Sequence, residues 1–375
     1  MRLLFVCLLL AVVTACDERA ATNPEPDQNP SIRFLAAGAT QGFARATAPR
    51  KFVFPLDHGS HPEYRTEWWY FTGNVFDDSG HHYGFELTFF RIALSPDAPA
   101  RQSQWGTNQV WMAHFAVTDS ADRRFVAAER SARGALGLAG ATAAPFRVWV
   151  EDWSAEGAAA NNSAAIRLTA RHDDVALDLH LVAMKPPVAQ GEQGLDAKGP
   201  EPGNASYYYS LSRLEATGTI ETRGGRSAVQ GLAWMDREWG TSALSEGVVG
   251  WDWFALQLSD GRDLMFYRLR GADGLTSPFS GGSLIDERGG HQTLAAEDVE
   301  LEILADWRSP KSGVRYPVAW RLSVAQQGID LEIEPYLQDQ ELDLSVRYWE
   351  GAIRASGNAD GQKVTANGYL ELAGY

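Results

Sequence analysis

The chain has 375 residues, 45% hydrophobic and 22% charged, a balance that suits a globular body and at this length predicts two domains. A formal charge of −15 with no clustered run of Lys or Arg opposes polyanion binding and excludes nucleic acid as a partner. The only cysteines, Cys7 and Cys16, precede the body, which therefore holds neither a disulfide nor a thiolate metal site; collagen, coiled coil and disorder are excluded by composition.

Met1 and Arg2 lead into an apolar run from Leu3 to Val13, too short to span a bilayer and matching the hydrophobic region of a secretory signal. Val13-Thr14-Ala15-Cys16 fits a bacterial lipobox, which predicts a signal peptide over residues 1–15, cleavage before Cys16 and lipidation of its sulfur. The expected location is the cell envelope, on the periplasmic face of the inner membrane as Asp17 suggests, with the outer membrane as the other destination. Residues 16–45, with Asn23-Pro24 and Asn29-Pro30 and no sustained apolar period, predict a flexible tether.

From Thr66 to Ile92 two aromatic and β-branched arms flank the turn Asp77-Asp78-Ser79-Gly80, which predicts a hairpin. A second such unit runs from Trp251 to Leu269 around Asp260-Gly261, and the two align with Trp68 on Trp251 and Asp77 on Asp260. The stretches Tyr207–Trp239 and Tyr348–Tyr375 also correspond, with Gly231 matching Gly368. Further alternating runs, Val110–Val117, Phe146–Trp153, Ala164–Thr169, Val175–Val182, Val299–Leu304, Ala319–Val324 and Leu331–Pro335, make the body all-β and duplicated. Two closed antiparallel barrels or sandwiches are expected, an N-terminal domain over 46–230 and a C-terminal domain over 231–375. The longer first copy places its extra residues in the loops 93–108 and 184–205, which are candidate lids.

Alternation puts Glu67 in a row with Trp69, Phe71 and Val75, and Asp252 in a row with Phe254, Leu256 and Leu258. A carboxyl surrounded by hydrocarbon has a raised pKa and can donate a proton near neutral pH. The competing expectation is an ion pair, with Arg65 or Arg91 for Glu67 and Arg237 or Arg268 for Asp252. The segment Trp234-Met235-Asp236-Arg237-Glu238-Trp239 interleaves both charge signs with two Trp. It reads either as charge pairing at a domain junction or as a site between the halves, where Asp236 or Glu238 orients the water or the acid. His114 shares a face with Val110, Met112 and Ala116, as a core histidine or a pocket base. Asp57, His58, His61 and Glu63 lack any recognised metal-binding frame, so no metal is assigned.

Arg65-Thr66-Glu67-Trp68-Trp69-Tyr70-Phe71-Thr72-Gly73, the Trp234–Trp239 segment, Gly250-Trp251-Asp252-Trp253-Phe254 and Gly368-Tyr369-Leu370-Glu371-Leu372 resemble the AttH-like family related to carotenoid 1,2-hydratases. The resemblance implies two tandem lipocalin-like barrels, a long apolar ligand and, in the hydratase branch, addition of water to a terminal isoprenoid double bond. It points to Asp252 as the proton donor and implies no cofactor. Candidate ligand contacts are Glu67, Trp69, Phe71, Trp239, Trp251, Trp253 and His114. Two other expectations stand beside the enzyme: a non-enzymatic lipid-handling accessory of an ABC transporter permease, and a carbohydrate-active β-protein. The last needs Trp platforms on an open face and a spaced carboxyl pair.

Overall fold

Short apolar-polar alternations punctuated by turn residues leave the backbone one economical choice, antiparallel ladders between sequence neighbours. The structure is a computed structural model that describes residues 40–97, 103–157, 165–242, 244–245 and 247–375. The signal segment 1–15, Cys16, the tether through residue 39 and part of the 93–108 loop lie outside the described residues.

The first sheet comprises β1 (Thr66–Phe76), β2 (His82–Ala93), β3 (Gln109–Asp119), β4 (Arg124–Arg133), β5 (Ala139–Ala143), β6 (Phe146–Val150), β7 (Trp153–Gly157), β8 (Ala165–His172), β9 (Val175–Ala183), β10 (Val188–Ala189), β11 (Leu195–Ala197), β12 (Ala205–Thr222) and β13 (Gly225–Gly240). The second comprises β14 (Val248–Leu258), β15 (Asp263–Gly271), β16 (Gly281–Ile285), β17 (His291–Ala295), β18 (Glu300–Arg308), β19 (Arg315–Val324), β20 (Ile329–Pro335), β21 (Glu341–Asp343), β22 (Arg347–Ala359) and β23 (Gln362–Ala373).

The order β4-β3-β2-β1-β13-β12-β9-β8-β7 is repeated as β17-β16-β15-β14-β23-β22-β20-β19-β18, so the duplication extends to strand order. The first sheet adds β6 and β5 beyond β7, which carries it round to a nearly closed barrel. Arg130 of β4 crosses the remaining seam, pairing with Asp152 and lying 4.5 Å over the Trp153 ring. The second sheet has no counterpart of β5 and β6 and stays a half-barrel. The two tandem antiparallel lipocalin-like units expected from the sequence are therefore present, the first nearly closed and the second a half-barrel rather than closed, and part of the first copy's extra length is strand rather than lid. The 184–205 segment is itself pinned: β10 and β11 pair with β12, and Ser283 Oγ donates to Gln190 Oε1 across to the second sheet at 2.5 Å.

Two equivalent glycines show why the copies share a residue type there. A Cβ at Gly231 would lie 2.1 Å from the Asn74 carbonyl oxygen, and one at Gly368 would lie 2.0 Å from that of Ala255. Both are points where a neighbouring strand passes too close for any side chain. The first sheet runs on through Gly231, because β13 pairs with β1 from Gln230 to Gly240. The sheets consequently divide within 241–247, ten residues past the 230/231 boundary expected from the sequence.

Each barrel has a hydrocarbon core. Trp69, Phe71, Phe85, Leu87, Trp153 and Leu179 pack together in the first, and Phe254, Leu256, Trp320, Leu331, Trp349 and Leu370 in the second. Each fully buried side chain of this size contributes about 1.5–3 kcal/mol of transfer free energy. A third apolar cluster joins the outer faces of the two sheets, with Tyr70, Tyr208 and Trp234 meeting Trp253, Met265 and Tyr369. Strands β1 and β14 are thus covered on both faces.

Candidate functional site in the cleft between the barrels

Alternation identifies the two faces of β1 and β14; on β1 the face opposite Glu67 borders a cavity, and on β14 the face that carries Trp251 and Trp253. Glu67, Trp69 and Phe71 turn into the first barrel and are fully buried. Burial alone would raise the Glu67 carboxyl, yet the guanidiniums of Arg237 and Arg91 hold it well below the usual carboxylate range. The backbone N–H of His61 donates to both its oxygens at 3.1 Å. Arg237 lies 3.9 Å over the Trp69 ring, and Trp239 stacks on the His61 ring at 3.9 Å. This is the closed end of the barrel, sealed by residues 43–65, and it corrects the assignment of Glu67, Trp69, Phe71 and Trp239 to a ligand. His58, His61 and Asp57 belong to the same seal: His58 Nδ1 bonds the Tyr209 hydroxyl at 2.6 Å, and His61 Nε2 bonds Asp57 Oδ1 at 3.0 Å.

Asp252 repeats that arrangement at the end of the second barrel. Arg268 Nη2 is 2.6 Å from Oδ2 and Arg270 Nε 3.2 Å from Oδ1, while the Tyr375 hydroxyl donates to Oδ1 at 2.6 Å. Its carboxylate is engaged by two guanidiniums and faces the core, which corrects the expectation that it donates a proton to a bound alkene. Of the expected partners, Arg91 pairs with Glu67 and Arg268 with Asp252, while Arg237 serves Glu67 rather than Asp252.

The cavity lies between the outer faces. It measures about 180 Å³, against the roughly 10–15 Å³ that one water requires, so it accommodates an organic molecule. Trp68 and Tyr70 of β1, Tyr208 of β12, Trp251 and Trp253 of β14 and Tyr267 of β15 supply its aromatic walls. Tyr70 meets Trp253 edge to face at 5.1 Å. Of the residues singled out in the sequence, Asp236, Glu238, His114, Trp251 and Trp253 come together here.

Acid groups are set into this aromatic lining without arginine. Asp236 accepts from the Tyr208 hydroxyl, from Ser210 Oγ at 2.5 Å and from Trp234 Nε1 at 2.7 Å. Burial outweighs these three donors and raises its carboxyl to about 7. Glu371 of β23 accepts from Trp251 Nε1 at 3.0 Å, and burial together with the nearby Glu86 raises it to about 8. Glu86 of β2 accepts from Thr88 Oγ1 at 2.9 Å and Tyr348 OH at 3.1 Å and is raised by burial against the opposing pull of His114. Behind it, Glu350 accepts from Tyr70 OH at 2.6 Å and is held well above the usual range by burial and by Glu86. Glu238 is raised by burial although Lys198 stands 3.5 Å away. His114 is fully buried between Tyr348 OH, 2.6 Å from Nδ1, and Glu129 Oε2, 3.2 Å from Nε2.

Sequence reasoning missed Glu86, Glu350, Glu371, Lys198, Trp68, Tyr70 and Tyr208. The available signal was the β1 sequence itself, in which neither alternate row is a solvent row. A strand apolar or aromatic on both faces is covered on both faces, and the mixed row, Trp68, Tyr70 and Thr72, borders the second sheet.

Two antiparallel barrels of one strand order, clasping an aromatic, carboxyl-lined cavity, define a tandem lipocalin-like protein. The chain belongs to the AttH-like family, whose sequence profile matches residues 45–375. A crystal structure assigned to AttH from Nitrosomonas europaea superposes with a TM-score of 0.78 at 34% identity, covering 89% of this chain and all of that one. Kievitone hydratase from Nectria haematococca has the same fold, with a TM-score of 0.65 at 17% identity over 88% of this chain and 98% of its own. In sequence, kievitone hydratase of Fusarium solani subsp. phaseoli is 24% identical over 246 residues, 63% of this chain and 68% of that protein.

Proposed function

We propose that the interbarrel cavity binds an apolar molecule carrying a branched alkene and adds water across the double bond. The observation that carries this reading is a pair of carboxyls, Glu371 and Asp236, held near neutrality by burial among Trp and Tyr rings. The relationship to proteins named as hydratases supports it.

Glu371 is protonated at pH 7 and gives its proton to the less substituted alkene carbon, the π pair forming the new C–H bond. The tertiary cation left behind lies against the faces of Trp251 and Trp253, whose quadrupoles favour positive charge. Water attacks the cation, forms the C–O bond and releases a proton to the ionised Asp236, which Tyr208 and Ser210 hold in place. Proton exchange from Asp236 back to Glu371 restores both groups, so the net change is addition of one water. The Trp rings face the cleft between the two sheets, whereas a carbohydrate site requires Trp platforms on an open outer face.

Incubation with a panel of prenylated phenols and isoprenoids in ¹⁸O water tests the reading. A product heavier by one labelled water and absent with Glu371→Gln supports it; wild-type protein that binds these compounds without turnover removes the enzymatic step. We further propose an envelope anchor through Cys16: Cys16→Ser should move the protein from the membrane to the soluble fraction, and unchanged membrane recovery with palmitate labelling would refute the anchor.

A further inference from the structure

The cavity contains more buried acid than the hydration reading uses. Lys198 is engaged with Asp196 and, at 3.5 Å, with Glu238. His114 is bonded to Glu129 and Tyr348. Glu86, Glu350, Glu371 and Asp236 accept hydrogen bonds from hydroxyl and indole donors. Glu86 and Glu350 are fully buried, and the Oε2 atom of each has no hydrogen-bond partner. Glu86 lines the cavity, with Glu350 behind it on Tyr70. Proteins rarely leave a buried carboxyl oxygen without a donor or a counterion, because removing it from water costs free energy that only a partner returns.

The aromatic walls specify what kind of partner fits. Ring faces attract diffuse positive charge, and the cavity already displays one such contact, Lys198 Nζ at 4.1 Å over the Tyr267 ring. A metal ion needs several ligating side chains to converge, and among the described residues no three His, Cys, Asp or Glu side chains form such a group. We propose that the interbarrel cavity is a binding site for an apolar organic cation, a tertiary or quaternary ammonium on a hydrocarbon or aryl frame, with its charge against Glu86 and Glu371 and its hydrocarbon against the Trp and Tyr rings. This goes beyond hydration and does not depend on it, although such a ligand also places positive charge where the tertiary cation would form.

The proposal has a proton signature. The groups facing Glu86 and Glu371 are His114 from β3, Tyr348 and Glu350 from β22, Tyr369 from β23, Tyr70 from β1, and Asp236 and Glu238 from β13. The ammonium in the lining, Lys198, is engaged with Asp196 and Glu238, so a ligand cation beside Glu86 and Glu371 favours their ionised form.

The test compares benzyltrimethylammonium with neopentylbenzene, which has the same shape without the charge, by calorimetric titration and tryptophan fluorescence. Wild-type protein is expected to bind the cation about tenfold or more tightly than the isostere at pH 8, a ratio equivalent to one desolvated cation–aromatic contact. The preference should shrink at pH 5, and binding at pH 7 should release protons, seen as different heats in phosphate and Tris. Glu86→Gln retains the oxygen that accepts from Thr88 and Tyr348; it should weaken the cation about tenfold and leave neopentylbenzene unchanged. Glu371→Gln provides the same comparison if Glu86→Gln does not fold. Equal affinity for the two probes overturns the proposal, as does a cation preference that both variants retain, which would place the ion on the acidic outer surface. A protein that binds the cation but never hydrates an alkene refutes the hydration reading alone, and the converse result refutes only this one.

Discussion

Buried carboxyls occur in two settings in this molecule, at the barrel ends and in the cleft between barrels, and burial has opposite consequences in them. At the ends Glu67 faces Arg91 and Arg237, and Asp252 faces Arg268 and Arg270. In the cleft Glu371, Glu86 and Asp236 are bonded to hydroxyls and indole N–H groups, with His114 near Glu86. Desolvation disfavours the anion in both places, and the counterion decides whether that cost is overcome. The carboxyls at the ends are tied into arginine pairs that hold the fold together; Glu371 and Asp236 in the cleft are poised acids.

Exchanging the two settings by mutation gives effects of decreasing size. Glu371→Gln should lower hydration turnover by roughly 10²–10⁴-fold, the range of a lost general acid, with little change in thermal stability; a turnover loss below tenfold would move the acid role to Asp236. Glu67→Gln should have the reverse profile, losing about 3–5 kcal/mol of stability because two buried guanidiniums lose their anion. Denaturant midpoints check this, and a wild-type midpoint would break the distinction drawn here. Asp252→Asn belongs with Glu67 and not with Glu371: the expectation is a stability loss of about 2–4 kcal/mol with turnover of the remaining folded protein close to wild type. Abolished turnover in a fully folded Asp252→Asn protein would restore Asp252 as the acid.

The smallest effect is a slope with pH. Glu371 and Asp236 have folded pKa values raised to about 8 and about 7. The native state therefore binds more protons than the unfolded chain, and the stability they confer is complete below about pH 4 and is lost as pH rises towards 8. Glu67 has the opposite sign: its folded pKa is depressed, so its contribution is present above about pH 4.5 and is lost as pH falls. Calorimetric melting temperatures between pH 5 and 8 should decline less steeply for Glu371→Gln than for wild type. Identical slopes would show that Glu371 is ionised throughout.

The residues around Trp68 and Trp251 were enough to read the hairpins, the duplication and the all-β class, since alternation and turn chemistry are local. The pairing of Glu67 with Arg91 was also legible, because both lie on adjacent arms of one hairpin, directly opposite each other. Lys198 and Glu86, in contrast, come from strands or loops more than a hundred residues apart in the chain. No spacing rule relates them.

The sequence by itself determined that this chain forms strands, that it does so in two corresponding halves, and which residues share a face, because these follow from the period of the backbone and from turn chemistry. Only the tertiary structure decided which face meets solvent, core or cavity. Packing one barrel against the other turned a row of tryptophans and carboxyls from an outer surface into a lining, and a carboxyl's charge depends on the dielectric and the counterions around it, which neighbouring letters do not specify.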